Sequence, residues 1–168
     1  KVLFIRHGTR SLHGLGDVSL NSQGQRQAEH LAQLVAQGQL PSPSHLLSSP
    51  KKRACETLES LSLATQIPVT IDPRLDERHQ NESAREFEAR VRSFLDEWTP
   101  APVTSRKSEG CAIICSHLDW LELAMVLIPS TLSETEMAAS WANAEYRIFR
   151  YTDHLWELIG TGIAEPRN

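Results

Sequence analysis

The sequence predicts an α/β domain built on a mostly parallel central sheet. Three observations carry that reading. Short apolar runs alternate with amphipathic helical stretches, the apolar runs end abruptly in polar residues, and 168 residues suit one domain with a sizeable core. Residues 1–168 are read as that single domain, since no repeat or low-complexity tract divides them.

The elements follow in order. Residues 2–5, VLFI, read as a buried strand that runs straight into Arg6, His7 and Gly8. Such an ending is either an ordinary strand end surfacing or the lip of an active site. Residues 8–20 read as a loop. Asn21 then N-caps a helix with Ala28, Leu31, Leu34 and Val35 on one face and Gly38 at its close. HLLS at 45–48 is a second strand, and Ser49-Pro50 reads as N-cap and first residue of the next helix. PVTI at 68–71 is a third strand, stopped near Pro73. SARE at 83–86 is a capping box, opening a helix whose Phe87, Val91, Phe94, Leu95 and Trp98 form a core-facing stripe. Residues 99–110 read as a loop, CAIIC at 111–115 as a fourth strand and residues 118–128 as a helix. EYRIFRY and LWELI, on either side of Thr152-Asp153-His154, read as a hairpin or a turn between two strands.

Composition excludes some function classes. The formal net charge of −4 gives no global pull toward nucleic acid or an anionic membrane, so any anion site must be local. The best apolar run, LAMVLI at 123–128, is far short of the roughly 20 residues of a membrane span. No signal peptide is visible, although the chain opens on Lys1 rather than Met, which leaves room for a removed leader. Cys55, Cys111 and Cys115 match no zinc or CxxC spacing and read as small core residues of a reducing, cytoplasmic compartment.

In open α/β sheets ligands bind beyond the carboxyl ends of the strands. Here three strand ends supply Arg6-His7-Gly8, then Ser48-Ser49-Pro50 with Arg53 a turn later, then Ser116-His117. Two histidines and two arginines on one sheet edge suit phosphate. Guanidinium forks match its oxygens, a helix N-terminus adds N–H groups, and imidazole can act as nucleophile or proton carrier. A lone histidine at a strand end is more often structural than catalytic, so the weight lies in the four together. Metal binding is the weaker reading, because no carboxylate or thiolate stands at ligand spacing from His7 or His117 and the arginines would repel a cation.

Four segments resemble the histidine phosphatase superfamily, the phosphoglycerate-mutase-like group: RHG at 6–8, DVSLNSQGQRQA at 17–28, SSPKKRACET at 48–57 and ICSH at 114–117. The resemblance implies a three-layer α/β/α sandwich. It implies a metal-independent phosphatase, without cofactor, in which His7 attacks phosphorus and becomes phosphohistidine. Arg6, Arg53 and His117 would hold the phosphoryl oxygens. RLDERHQ at 74–80 resembles the segment that supplies the general acid, at Glu77; Asp76 is the neighbouring alternative, and the bland reading makes both solvated loop charges.

The chain departs from the family in places. Asn21 replaces a Ser or Thr, His13 stands where mutases have Asn, Gln80 and Asn81 stand for Tyr and Gly, and Leu118-Asp119 stand for Gly-Gly. SHLDWLELA looks closer to the short phosphohistidine phosphatases, which generally lack an equivalent of Glu77, so the chain sits between two branches. The expected partner is a phosphorylated small molecule or a phosphoprotein, with no nucleic acid and no membrane. A phosphoglycerate mutase is one alternative, favoured by Arg78 and opposed by the chain length; a non-catalytic phospho-ligand-binding module is another. Substrate contacts are expected from Arg10, His13 and Arg78, although each alone reads as a plain surface residue.

Overall fold

The computed structural model describes residues 1–14, 16–98, 110–152 and 154–166. The expected loop at 99–110 therefore lies almost wholly outside the described residues, as does Asp153 of the expected turn. In chain order the elements are β1 (Val2–Arg6), α1 (Ser22–Ala36), β2 (Pro43–Ser48), α2 (Lys52–Thr65), β3 (Val69–Ile71), a single 3-10 turn (Pro73–Leu75), α3 (Ala84–Glu97), β4 (Cys111–Ser116), α4 (Leu118–Leu127), α5 (Glu134–Ala138), β5 (Glu145–Thr152) and β6 (Leu155–Ile163).

One six-stranded sheet runs β3-β2-β4-β1-β5-β6. The first four are mutually parallel; β5 adds antiparallel to β1, and β6 antiparallel to β5, as the expected hairpin. Alternation along β1 sorts the two cores. Val2 and Phe4 pack with Phe87, Val91 and Phe94 of α3 and Trp120 of α4, whereas Leu3 and Ile5 pack with Leu31 and Leu34 of α1 and Leu58 and Leu61 of α2. The result is the expected α/β/α sandwich. β4 is buried at every position between the two helical layers, as a central parallel strand must be. Its Cys111 and Cys115 join the α1/α2 core as free thiols.

Local sequence accounts for the helix ends. Asn21 accepts from the Gly24 N–H at the start of α1. Gly38, at φ +70°, closes that helix in a Schellman motif, with its N–H on Val35 O and that of Gln39 on Leu34 O. Ser83 and Glu86 form the expected capping box of α3, and Ser133 and Glu136 repeat it on α5, which the sequence reading left out. One expectation needs correction. Helix α2 begins at Lys52, not at Pro50, and Ser49 is not its cap. The Lys52 N–H is accepted by both carboxylate oxygens of Asp17, at 3.1 Å each. The Ser49 hydroxyl accepts only the Lys51 N–H of this segment, at 3.3 Å, and turns inward to His117.

Candidate active site

The carboxyl ends of β1, β2 and β4 meet at one edge of the sheet. The His7 N–H donates to Ser116 O and the Ser49 N–H to Cys115 O, so the three polar ends are stitched together by backbone. Above them opens a cavity of about 310 Å³, whose lining includes Arg6, His7, Arg10, Arg53, Glu77 and His117.

His7 is buried at 5% exposure. Its Nδ1 lies 2.8 Å from Gly8 O, and a carbonyl only accepts, so Nδ1 carries the proton. Nε2 then holds the lone pair, and Arg53 Nε points a proton at it from 3.3 Å. Burial foremost, with Arg53, Arg6 and Arg10 adding repulsion, pushes the imidazole pKa down to about 4 against the pull of the Gly8 carbonyl. A neutral ring with Nε2 free is the nucleophilic form.

Arg53 is the hub. It sits in the first turn of α2 at 4% exposure. Besides meeting His7, its Nη2 donates to Glu77 Oε2 at 2.7 Å and to His117 Nδ1 at 3.2 Å. His117 Nδ1 is therefore the acceptor nitrogen and Nε2 the donor, 2.7 Å from Ser49 Oγ. Ser49 Oγ in turn reaches Asp76 Oδ1 at 3.4 Å. Burial, with His7 and Arg53 nearby, holds His117 far below the usual imidazole range. The two rings stand 5.2 Å apart.

Arg6 crosses from the end of β1 to the segment before β5, where Nη1 donates to Trp141 O. Its Nε is buried without a hydrogen-bond partner among the described residues. Burial lowers its pKa and Glu122 opposes that effect.

The two acidic candidates divide clearly. Asp76, 6% exposed, is outside the cavity lining, behind Ser49 and His117, and accepts from the Glu77 N–H at 2.9 Å and from His79 Nε2 at 3.1 Å. Glu77 faces the cavity, its side chain 40% exposed. Arg90 of α3 braces the segment carrying both. Its guanidinium donates to the carbonyls of Arg74 (3.0 Å), Asp76 (2.7 Å) and Glu77 (3.1 Å), and is itself held by Glu82 at 2.6–2.8 Å. That pairing depresses the Glu82 carboxyl to about 2.

The 17–28 segment turns out to brace the loop after β1. Gln27 Oε1 accepts from the Thr9 N–H at 2.8 Å, and a Cβ on Gly24 would run into the Thr9 carbonyl oxygen, so only glycine lets α1 approach so closely. Thr57 of α2 adds its hydroxyl, accepting from the Gly8 N–H at 2.9 Å.

Of the expected substrate-contacting residues, Arg10 lines the cavity. His13 and Arg78 lie outside its lining. His13 is exposed, and Ser11 Oγ accepts from its backbone N–H. The Arg78 side chain turns back on its own loop, Nε donating to Glu82 O at 3.0 Å. Sequence reasoning missed Asp119 and Glu122, which α4 brings to the cavity wall, and the inward role of Ser49.

Comparison with known proteins adds to this geometry. A family model described as histidine phosphatase superfamily (branch 1) matches residues 2–81. Over 83 residues the chain is 34% identical to a protein of Proteus mirabilis (strain HI4320) named as a probable phosphoglycerate mutase, a match that takes in 46% of this chain and 37% of that relative. The chain thus spans little more than a third of that relative's length. Among solved structures, a mycobacterial glucosyl-3-phosphoglycerate phosphatase superposes with a TM-score of 0.69 at 19% identity, covering 87% of each chain. The protein histidine phosphatase SixA, complexed with tungstate, superposes with a TM-score of 0.72 at 17% identity, covering 97% of this chain and 96% of that one. At these identities the likeness is one of fold.

Proposed function

We propose that the chain, whose residues 2–81 match the histidine phosphatase superfamily, belongs to that family and hydrolyses a phosphate monoester, without a metal, through a phosphohistidine at His7. The observation that supports this reading most is the neutral His7 ring, its proton held on Nδ1 by a hydrogen bond to Gly8 O and its Nε2 lone pair turned toward Arg53 and the cavity.

In the first step His7 Nε2 attacks phosphorus and the P–O bond to the leaving group breaks. Protonated Glu77 gives its proton to the departing oxygen. Arg6 and Arg53 hold the equatorial oxygens and stabilise the charge that builds there; His117 joins them when Arg53 Nη2 leaves its Nδ1 for the phosphate and the ring takes the Nδ1–H tautomer, with Ser49 Oγ then donating to Nε2. In the second step water attacks phosphorus, Glu77 takes a water proton, the P–N bond breaks and Nε2 recovers its lone pair. The arginines supply the positive charge that a metal supplies elsewhere. A positioned acid contributes roughly 10²–10⁴ of the enhancement; nucleophile, positioning and the cationic cradle supply the rest.

Glu77 favours an ester over a phosphohistidine protein. An alkoxide leaves badly without a proton, whereas a P–N bond is already labile. The test is phosphate release in the presence of a chelator. Wild type should hydrolyse both an alkyl phosphate and p-nitrophenyl phosphate, and His7→Ala neither. Glu77→Gln should lose roughly 10²–10⁴ on the alkyl ester and far less on the aryl one. Equal losses on both would remove Glu77 from the acid role, and chelator-sensitive activity would remove the metal-independent mechanism.

A mutase is the second reading, favoured by the match to the named mutase of Proteus mirabilis. Incubation with 3-phosphoglycerate and catalytic bisphosphoglycerate separates them: rapid 2-phosphoglycerate formation would overturn the phosphatase reading.

A further inference from the structure

The cavity pairs three arginines with three carboxylates. Arg6, Arg10 and Arg53 face Glu77, Asp119 and Glu122, with the two histidines neutral. Asp119 and Glu122 stand three residues apart at the start of α4, so they share one face of that helix and present one acidic wall. Neither is neutralised by an ion pair among the described residues. Asp119 accepts from the backbone N–H groups of Arg78 and Trp120 at 2.8 Å each, and Glu122 accepts from Ser140 Oγ at 3.2 Å. Glu122 is close enough to Arg6 to oppose the effect of burial on it.

A phosphate dianion on Arg6 and Arg53 cancels those two charges. Of the charged lining there remain, around the leaving group, Arg10, Glu77, Asp119 and Glu122; Lys51, outside the lining, is shared between Asp76 at 3.6 Å and Glu77 at 3.8 Å. Even with Glu77 protonated as the acid, that rim is negative by one charge. A leaving group that carried its own carboxylate or second phosphate would sit against like charge in a partly enclosed site, which costs binding and selects against it. Hydroxyl or ammonium groups would instead donate to the two carboxylates. The cavity volume of about 310 Å³ is at the small end for ligand sites.

We propose that the Asp119–Glu122 wall selects small phosphomonoesters whose leaving group is an uncharged polyol or an amino alcohol, and rejects carboxylate-bearing esters such as phosphoglycerates. This rests on the phosphatase reading above, and it sets the chain apart from a mutase, whose substrates are polyanions.

The experiment compares kcat/KM for glycerol 3-phosphate, O-phosphoethanolamine and 3-phosphoglycerate, in wild type and in Glu122→Gln, with p-nitrophenyl phosphate as a common reference. Wild type should prefer each of the first two over 3-phosphoglycerate by about tenfold or more, and Glu122→Gln should narrow that ratio severalfold. Glu122 is chosen because Asp119 also caps backbone N–H groups, whose loss would disturb the Glu77 loop. Equal or better turnover of 3-phosphoglycerate, or a ratio unmoved by Glu122→Gln, would overturn the acidic-wall proposal while phosphate release upholds the phosphatase. If no ester releases phosphate, the phosphatase reading falls. Calorimetric binding of the same three compounds then decides the wall alone: tighter glycerol 3-phosphate supports it and tighter 3-phosphoglycerate overturns it.

Discussion

His7 shows how burial and chemistry are coupled in this molecule. The same desolvation that brings its pKa down to about 4 makes the protonated ring a poor tenant of the folded protein. The unfolded chain, with an ordinary value of 6.5, takes up a proton before the folded one does. By linkage the contribution of His7 to stability is fully present above pH 6.5 and is lost as pH falls from 6.5 through about 4. His117, shifted in the same direction, acts in the same window and extends it downward. Thermal unfolding followed across that range should show a falling Tm in wild type and a shallower fall in His7→Gln. A slope unchanged by the substitution would mean that the folded ring protonates as it would in water.

The bracing of the site comes from whole elements. Helix α3 meets the sheet through Phe87, Val91 and Phe94, yet sends Arg90 to three carbonyls of the segment that bears Glu77. Arg90→Ala would take the guanidinium from the Asp76 and Glu77 carbonyls and from Glu82, while Arg74 O keeps Trp120 Nε1 and Glu82 keeps the His79 N–H. It should lower kcat about tenfold on an alkyl phosphate and much less on p-nitrophenyl phosphate, because only the former needs the acid held in place. Equal losses on the two would make Arg90 a purely structural residue. Elements of this kind were unevenly legible in the sequence. The strands and the long helices were readable because alternation and 3.6-residue periodicity record burial directly. Ser49 looked like a helix cap because Ser-Pro before a helix normally is one; what displaced it was Asp17, a partner 35 residues away that no local pattern reveals. Gly24 and Gln27 were visible as motif letters, but their work on the Thr9 backbone appears only when α1 lies against the β1 loop.

At the scale of the whole molecule, a chain of net charge −4 gathers arginines where the parallel strands β1, β2 and β4 end. That convergence was legible, since strand ends and arginines can both be counted in sequence: Arg6, His7, Arg53, His117 and Glu77 line one cavity as expected. The wall from α4 was not, because the face a helix turns toward a cavity is set by packing of Trp120, Leu121 and Ala124 behind it, not by its charged residues. Arg78, adjacent to Glu77, points elsewhere because its Nε donates to Glu82 O within its own loop.

The central claim is that His7 Nε2 carries the phosphoryl group between substrate and water. Mixing enzyme with p-nitrophenyl phosphate, quenching in base within milliseconds and mapping peptides by mass spectrometry tests it directly. The predicted result is one phosphoryl group on the peptide containing His7, stable to base, labile to acid and absent from His7→Ala. Phosphate release with no phosphoenzyme at any quench time, or with the phosphoryl group on another residue, would contradict it.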